Sequence, residues 1–166
     1  MTLPLTPSQT VGPFFHDAML RPDACVASNA SGPRVRIVGT VYDGARDGVP
    51  DALIEAWQGN CFTRVGSAAG GVFEFTTIDP ASMPDEHGGA PHIDLIIFAR
   101  GLLNQLVTRM YFADAAGNDV DPVLQRVPPE RRGTLIARRE GAGTEPTYRF
   151  DVVLQGRDET VFLDVK

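Results

Sequence analysis

Cysteine and long apolar runs are both scarce in this sequence. Cys25 and Cys61 are the two cysteines among 166 residues, far apart and in no CxxC pair, which excludes a disulfide framework and a thiolate metal knuckle. Free thiols of a cytoplasmic protein are the expectation. No stretch approaches the roughly 18 consecutive apolar residues of a membrane span, so no membrane role is expected. The opening MTLPLTPSQTVGPFF has neither a basic start nor an uninterrupted apolar segment, and it does not read as a signal peptide. Cationic charge is short as well. Fifteen Lys+Arg against 21 Asp+Glu leave a formal net charge of −6, which argues against a nucleic-acid surface. GxGxxG, P-loop and GxSxG motifs are absent, as are internal repeats and any sustained helical period.

What is there is punctuation. The 17 glycines and 13 prolines are spread through the chain and separate short apolar runs. That pattern predicts an all-β fold, a β-sandwich of mixed and antiparallel strands with an extended N-terminal arm. Residues 1–33 read as arm and loop, and 34–166 as one sandwich domain. Val35–Tyr42 and Ala52–Gln58 flank turn chemistry at Asp43-Gly44 and Gly48-Val49-Pro50 and are expected to form a hairpin. Phe62–Gly66 and Val72–Thr77 follow, the latter with Phe73 and Phe75 on one face. His92–Ala99 is apolar on both parities, which suits a central strand covered on both sides. Gln105–Phe112 alternates, Asp121–Arg126 suggests one helical turn, and Thr134–Arg139, Tyr148–Gln155 and Thr160–Val165 read as closing strands.

Three constellations could carry chemistry. Asp85, Glu86, His87, His92 and Asp94 bring together carboxylates and imidazoles that suit divalent or ferric ions, but His92-x-Asp94 offers only two ligands on one strand face. A solvated loop is the competing reading. Arg100-Gly101 ends the central strand. There the guanidinium fork could clamp a carboxylate through paired charge-assisted bonds, or simply reach solvent. Thr10-Val11-Gly12-Pro13 forms a stiff arm that could line a pocket or cross another subunit. From the residues alone the reading ends at a soluble β-sandwich with an anion-binding edge.

Seven stretches taken together go further. They are TPSQTVGPFF (6–15), VGTVYDG (38–44), LIEAWQ (53–58), PHIDLIIFARG (91–101), TRMYFAD (108–114), TLIARR (134–139) and YRFDVVLQGRDETVFLDV (148–165). In this order, over nearly the whole chain, they resemble the α chains of the protocatechuate 3,4-dioxygenase family of intradiol ring-cleaving enzymes. The resemblance implies a β-sandwich. It also implies a site in which two tyrosines and two histidines of a β chain hold Fe(III), the histidines as an H-x-H pair on the strand matching His92–Asp94. Here the second position is Asp94, the loop after Gln58 is short, and the segment before His92 has Met83-Pro84 and no tyrosine. Tyr42, Tyr111 and Tyr148 all fall inside predicted strands. The resemblance therefore implies no metal in this chain, with His92 and Asp94 at degenerate ligand positions and the iron on the partner β chain.

By the same resemblance Thr10, Gly12, Pro13 and Arg100 would wall the substrate pocket. The substrate would be a small aromatic acid, cleaved with O2 between its hydroxyl-bearing carbons to 3-carboxy-cis,cis-muconate. A guanidinium there would attract the carboxylate and offset the catecholate charge. Two rivals stand beside this reading: a stand-alone metalloenzyme using His87, His92 and Asp94, and a non-catalytic transthyretin-like sandwich that only binds partners.

Overall fold

A computed structural model describes residues 4–20, 32–82, 89–141 and 146–164. Among these described residues nine strands form: β1 (Arg34–Tyr42), β2 (Leu53–Gln58), β3 (Cys61–Gly66), β4 (Val72–Ile78), β5 (His92–Phe98), β6 (Leu106–Phe112), β7 (Ile136–Glu140), β8 (Thr147–Arg149) and β9 (Val152–Val153). One short helix, α1 (Phe15–Met19), precedes them. Neighbours run β3-β2-β5-β6-β7-β8-β1-β4, with β9 beside β1. The β6–β7, β1–β8 and β1–β9 pairs are parallel and the others antiparallel, so the sheet is mixed as predicted. The continuous path folds over itself into two layers that enclose one core. Val35, Ile37, Phe73 and Phe75 enter the core from the β1–β4 layer. Ile54, Ile93, Leu95, Ile97 and Met110 enter it from the layer of β2, β5 and β6. Alternation is the reason: Phe73 and Phe75 are buried while Val72 and Glu74 between and beside them are exposed.

The expected hairpin of Val35–Tyr42 with Ala52–Gln58 does not form. β1 pairs β4, β8 and β9, whereas β2 pairs β3 and β5. The turn itself is present, with Tyr42 bridged to Gly48 and the Val49 N–H donating to Val41 O at 2.9 Å. Past that bridge Pro50 has no N–H to extend the ladder, and the chain crosses to the other layer. Across the opposite edges Gln58 closes a seam, donating from Nε2 to Ile78 O at 3.0 Å and accepting from Thr77 Oγ1 at 3.1 Å.

The closing segments also differ from expectation. Tyr148–Gln155 is interrupted into β8 and β9, because the Asp151 carboxylate accepts the Thr40 N–H at 3.0 Å where a ladder bond would otherwise run. Phe150 passes so close to β1 that a side chain at Gly39 would place its Cβ 1.9 Å from Phe150 O. Residues 160–164 form no strand. They are held by two backbone bonds, Leu163 N–H to Val107 O at 2.7 Å and Thr160 N–H to Val153 O at 2.9 Å, and by the Thr108, Thr134 and Thr160 hydroxyls. The turn at Asp121–Arg126 is a 3-10 helix at Leu124–Arg126, and a second 3-10 segment, Pro129–Leu135, takes the start of the predicted Thr134–Arg139 strand.

β5 sits between β2 and β6, yet it is not equally covered on both faces. Ile93, Leu95 and Ile97 are at most 1% exposed, while His92, Asp94, Ile96 and Phe98 are half-buried. Only small elements cover that second face. At one end Phe15 of α1 meets Phe98, ring centroids 5.6 Å apart; at the other, Leu124, Val127 and Leu135 enclose Tyr111. Among the described residues no helix is long and apolar enough to cross a membrane.

Candidate functional site

The two ends of β5 carry the polar groups singled out by the sequence. At the N-terminal end, hairpin register sets Asp94 opposite Arg109 and His92 opposite Tyr111. Asp94 Oδ1 accepts from Arg109 Nε at 2.8 Å, and this side-chain pair is only partly exposed. His92 Nδ1 lies 2.7 Å from Ala90 O, the geometry of an N–H donated to a carbonyl, and its Nε2 stands 3.9 Å from Asp94 Oδ2. The Tyr111 ring is 5.6 Å from the His92 ring, but its hydroxyl donates to Asp121 Oδ1 at 2.8 Å. Burial pushes the Tyr111 phenol well above its usual value, and the Asp121 bond adds to that. A ferric ion wants anionic oxygen and free imidazole nitrogen, and this corner offers a carboxylate already neutralised by a guanidinium and a phenol held protonated. The residues present do not fit the metal. Asp85, Glu86 and His87 lie outside the described residues, and among the described ones no three His, Cys, Asp or Glu side chains come together.

Asp121 is what fixes this end. It is 2% exposed and accepts four hydrogen bonds, from Tyr111 Oη and from the N–H groups of Ala90, Val123 and Leu124, at 2.8 to 3.0 Å. Burial alone would raise its pKa, but the Leu124 N–H, the Tyr111 hydroxyl and the Ala90 and Val123 N–H groups outweigh it and hold the carboxyl below the usual range.

The C-terminal end is built differently. Ala99 to Leu102 make a tight turn closed by Leu102 N–H to Ala99 O at 3.2 Å, with Gly101 at φ +86°. Only glycine holds that conformation without strain, and within the chain nothing approaches its Cβ position within 4 Å. Turn geometry therefore demands the glycine. The turn holds Arg100 clear of the sheet. Its Nε donates to Asp51 Oδ1 at 3.0 Å and its Nη2 lies 2.5 Å from Asp51 Oδ2. The Arg100 side chain is 54% exposed and that of Asp51 only 5%. The Asp51 hydrogen bond and charge push the Arg100 pKa above arginine's usual value. One edge of the guanidinium is thus fixed, and Nη1 has no hydrogen-bond partner among the described residues.

Thr10 is brought to the same turn: its Oγ1 accepts the Gly101 N–H at 2.7 Å, across 91 residues of sequence. The arm is thereby pinned to the residue after Arg100. Gln9 and Val11 of the arm, Phe98 and Ala99, and the 102–105 segment line a shallow cavity of about 140 Å³ beneath it. Gly12 and Pro13 are exposed and lead into α1, where Gly12 O accepts from Phe15 N–H at 3.1 Å and Pro13 O lies 3.0 Å from His16 Nδ1. Thr10 and Arg100 therefore converge, while Gly12 and Pro13 continue the rim. Sequence reasoning missed Asp51, whose partner is 49 positions away. Arg109 was legible in principle, since the β5–β6 register follows from the alternation on both strands.

No family model matches the chain. It is 39% identical over 197 aligned positions to the protocatechuate 3,4-dioxygenase alpha chain of Burkholderia cepacia, covering 99% of both chains. It is 31% identical to the protocatechuate 3,4-dioxygenase beta chain of the same organism, covering 95% of this chain and 78% of that one. Among solved structures, the dioxygenase domain of a dioxygenase carbohydrate-binding protein fusion from Streptomyces sp. SirexAA-E superposes with a TM-score of 0.65. The match covers 92% of this chain and all of that one at 23% identity, a likeness of fold.

Proposed function

The chain belongs to the protocatechuate 3,4-dioxygenase family and matches its α chains over nearly their full length, and from that premise we propose that it closes and polarises a substrate pocket whose iron lies on a β chain. The reaction is intradiol cleavage of protocatechuate by O2 to 3-carboxy-cis,cis-muconate, and the β chain would supply the Fe(III) chemistry. This chain would supply Arg100, Thr10, Gly12 and Pro13. The observation that carries the reading is the Thr10–Gly101 hydrogen bond, which joins the arm and the arginine into one edge. The free Nη1 edge of Arg100 can donate to a carboxylate while Asp51 holds the other edge. Because Asp51 already balances the guanidinium charge, Arg100 acts more through orientation than through long-range attraction. We place the complex in the cytoplasm, in keeping with Cys61, a buried free thiol. We divide the chain into an N-terminal segment, 1–33, whose described part is an arm running into α1, and a sandwich segment, 34–166.

The test is kinetic and uses the chain co-expressed with its β partner. Arg100→Ala should lower kcat/KM for protocatechuate while iron content and assembly stay unchanged. An unchanged kcat/KM would leave a purely structural, partner-binding subunit. Iron bound stoichiometrically by this chain without the β chain would instead overturn the division of labour.

A further inference from the structure

The outer face of the β7–β8–β1 layer carries a second charge arrangement, two strands from the His92 end of β5. Arg138 of β7 stands directly opposite Arg149 of β8 in antiparallel register. Like charges in directly opposed positions destabilise a sheet. Arg149 is relieved by Asp151, with Nε donating to Oδ2 at 3.1 Å and Nη2 lying 2.9 Å from Oδ1, and more distantly by Glu140. Arg138 is exposed, and its side chain has no ion pair or hydrogen bond among the described residues. Both line a cleft of about 540 Å³ that also takes in Arg46, paired to Asp158 at 2.6 Å, and the small residues Gly133 and Thr134. Arg46 is held at φ +69°, the one non-glycine residue with positive φ among those described. That conformation belongs to the Asp43–Asp47 turn, whose backbone bonds fix where Arg46 enters the cleft. Three guanidinium groups face two carboxylates here, in a chain whose net charge is −6. Ile136, half-buried, adds apolar wall.

We propose that this cleft is a second anion site, binding a small organic carboxylate between Arg138 and Arg149. The carboxylate plane would lie against the free Arg138 fork, and the organic body against Ile136. A cavity of this size is within the range of small-molecule sites, and a bound anion would relieve the opposed arginines. No covalent step is involved.

The experiment measures binding of benzoate to the assembled complex of this chain with its β partner. Calorimetry and thermal shift would be run on wild type, Arg138→Gln and Arg100→Ala. Wild type is expected to show a benzoate site that Arg100→Ala retains and Arg138→Gln weakens at least about tenfold. Without benzoate, Arg138→Gln should melt no lower than wild type, since removing one of two opposed like charges does not weaken the sheet. The proposal is overturned if no site sensitive to Arg138 is seen up to about 10 mM benzoate, or if Arg138→Gln binds as wild type does. It is also overturned if only Arg100→Ala abolishes binding, which would assign the anion to the pocket edge. Loss of the response in 0.5 M sodium sulfate but not in 0.5 M sucrose would support a charge-based contact.

Discussion

The two ends of β5 place similar chemical groups to opposite purposes. At the His92 end a carboxylate and a guanidinium, Asp94 and Arg109, pair with each other across the hairpin, and the neighbouring Tyr111 is locked by Asp121. The main charged and phenolic groups there are engaged within the chain. At the Arg100 end the pairing is asymmetric: Asp51 is almost wholly buried, Arg100 is more than half exposed, and one edge of the guanidinium stays open. The difference is one of remaining valence. An ion pair that satisfies both partners is structure, and one that fixes a single edge of a fork presents the other edge for binding.

The largest test of this contrast is at Arg100. Arg100→Ala should cut kcat/KM for protocatechuate roughly ten- to a thousandfold in the complex with the β chain, as for loss of one charge-assisted contact. It also strands the buried Asp51 carboxylate. The double variant Arg100→Ala/Asp51→Asn should therefore regain melting temperature without regaining activity, a combination that separates binding from stability.

Asp121 should show the reverse balance. Asp121→Ala leaves the Tyr111 hydroxyl and three backbone N–H groups without their acceptor, and should cost about 3–5 kcal/mol in chemical denaturation. Activity of whatever complex remains folded should hold. The pH sign follows from its depressed pKa. Asp121 contributes stability above the unfolded carboxyl value near 3.8, and that contribution is lost as pH falls below it toward the folded value. Wild-type stability should thus drop more steeply below pH 3.8 than that of Asp121→Asn.

Tyr148 gives the alkaline counterpart. Burial, then its bond to Asp114, pushes it up to about 12, so its contribution is intact below pH 10 and is lost as pH rises toward 12. Tyr148→Phe should flatten that part of the stability profile. If it does not, another group governs the alkaline limb.

The smallest effect is expected at the paired end of β5. Asp94→Asn should change stability by about 1 kcal/mol or less, as for a partly exposed ion pair, and leave kcat/KM within about twofold. Asp94→His alone should not recruit iron, because Arg109 remains against the site. Iron retained by Asp94→His in the isolated chain would mean that the guanidinium does not block the metal.

The alternation of Val72–Ile78 and Leu106–Phe112 and the spread of Gly and Pro made the layered β fold legible, because burial of one strand face writes a period of two into the residues. The interruption at Asp151 and the crossover after Tyr42 were not legible, since both depend on which edges meet. For the site, Arg100 and the arm could be named from residue type and order. Asp51 could not, as no local pattern marks a carboxylate that will meet an arginine 49 positions later.

By itself the sequence determined the composition of the core, the short β elements and, through motifs in unbroken order, the family. Tertiary structure alone decided which charges cancel and which stay open. Pairing is set by distance in space, and the folded sheet brought Asp94 to Arg109, Asp51 to one edge of Arg100, and Thr10 to the glycine beside it.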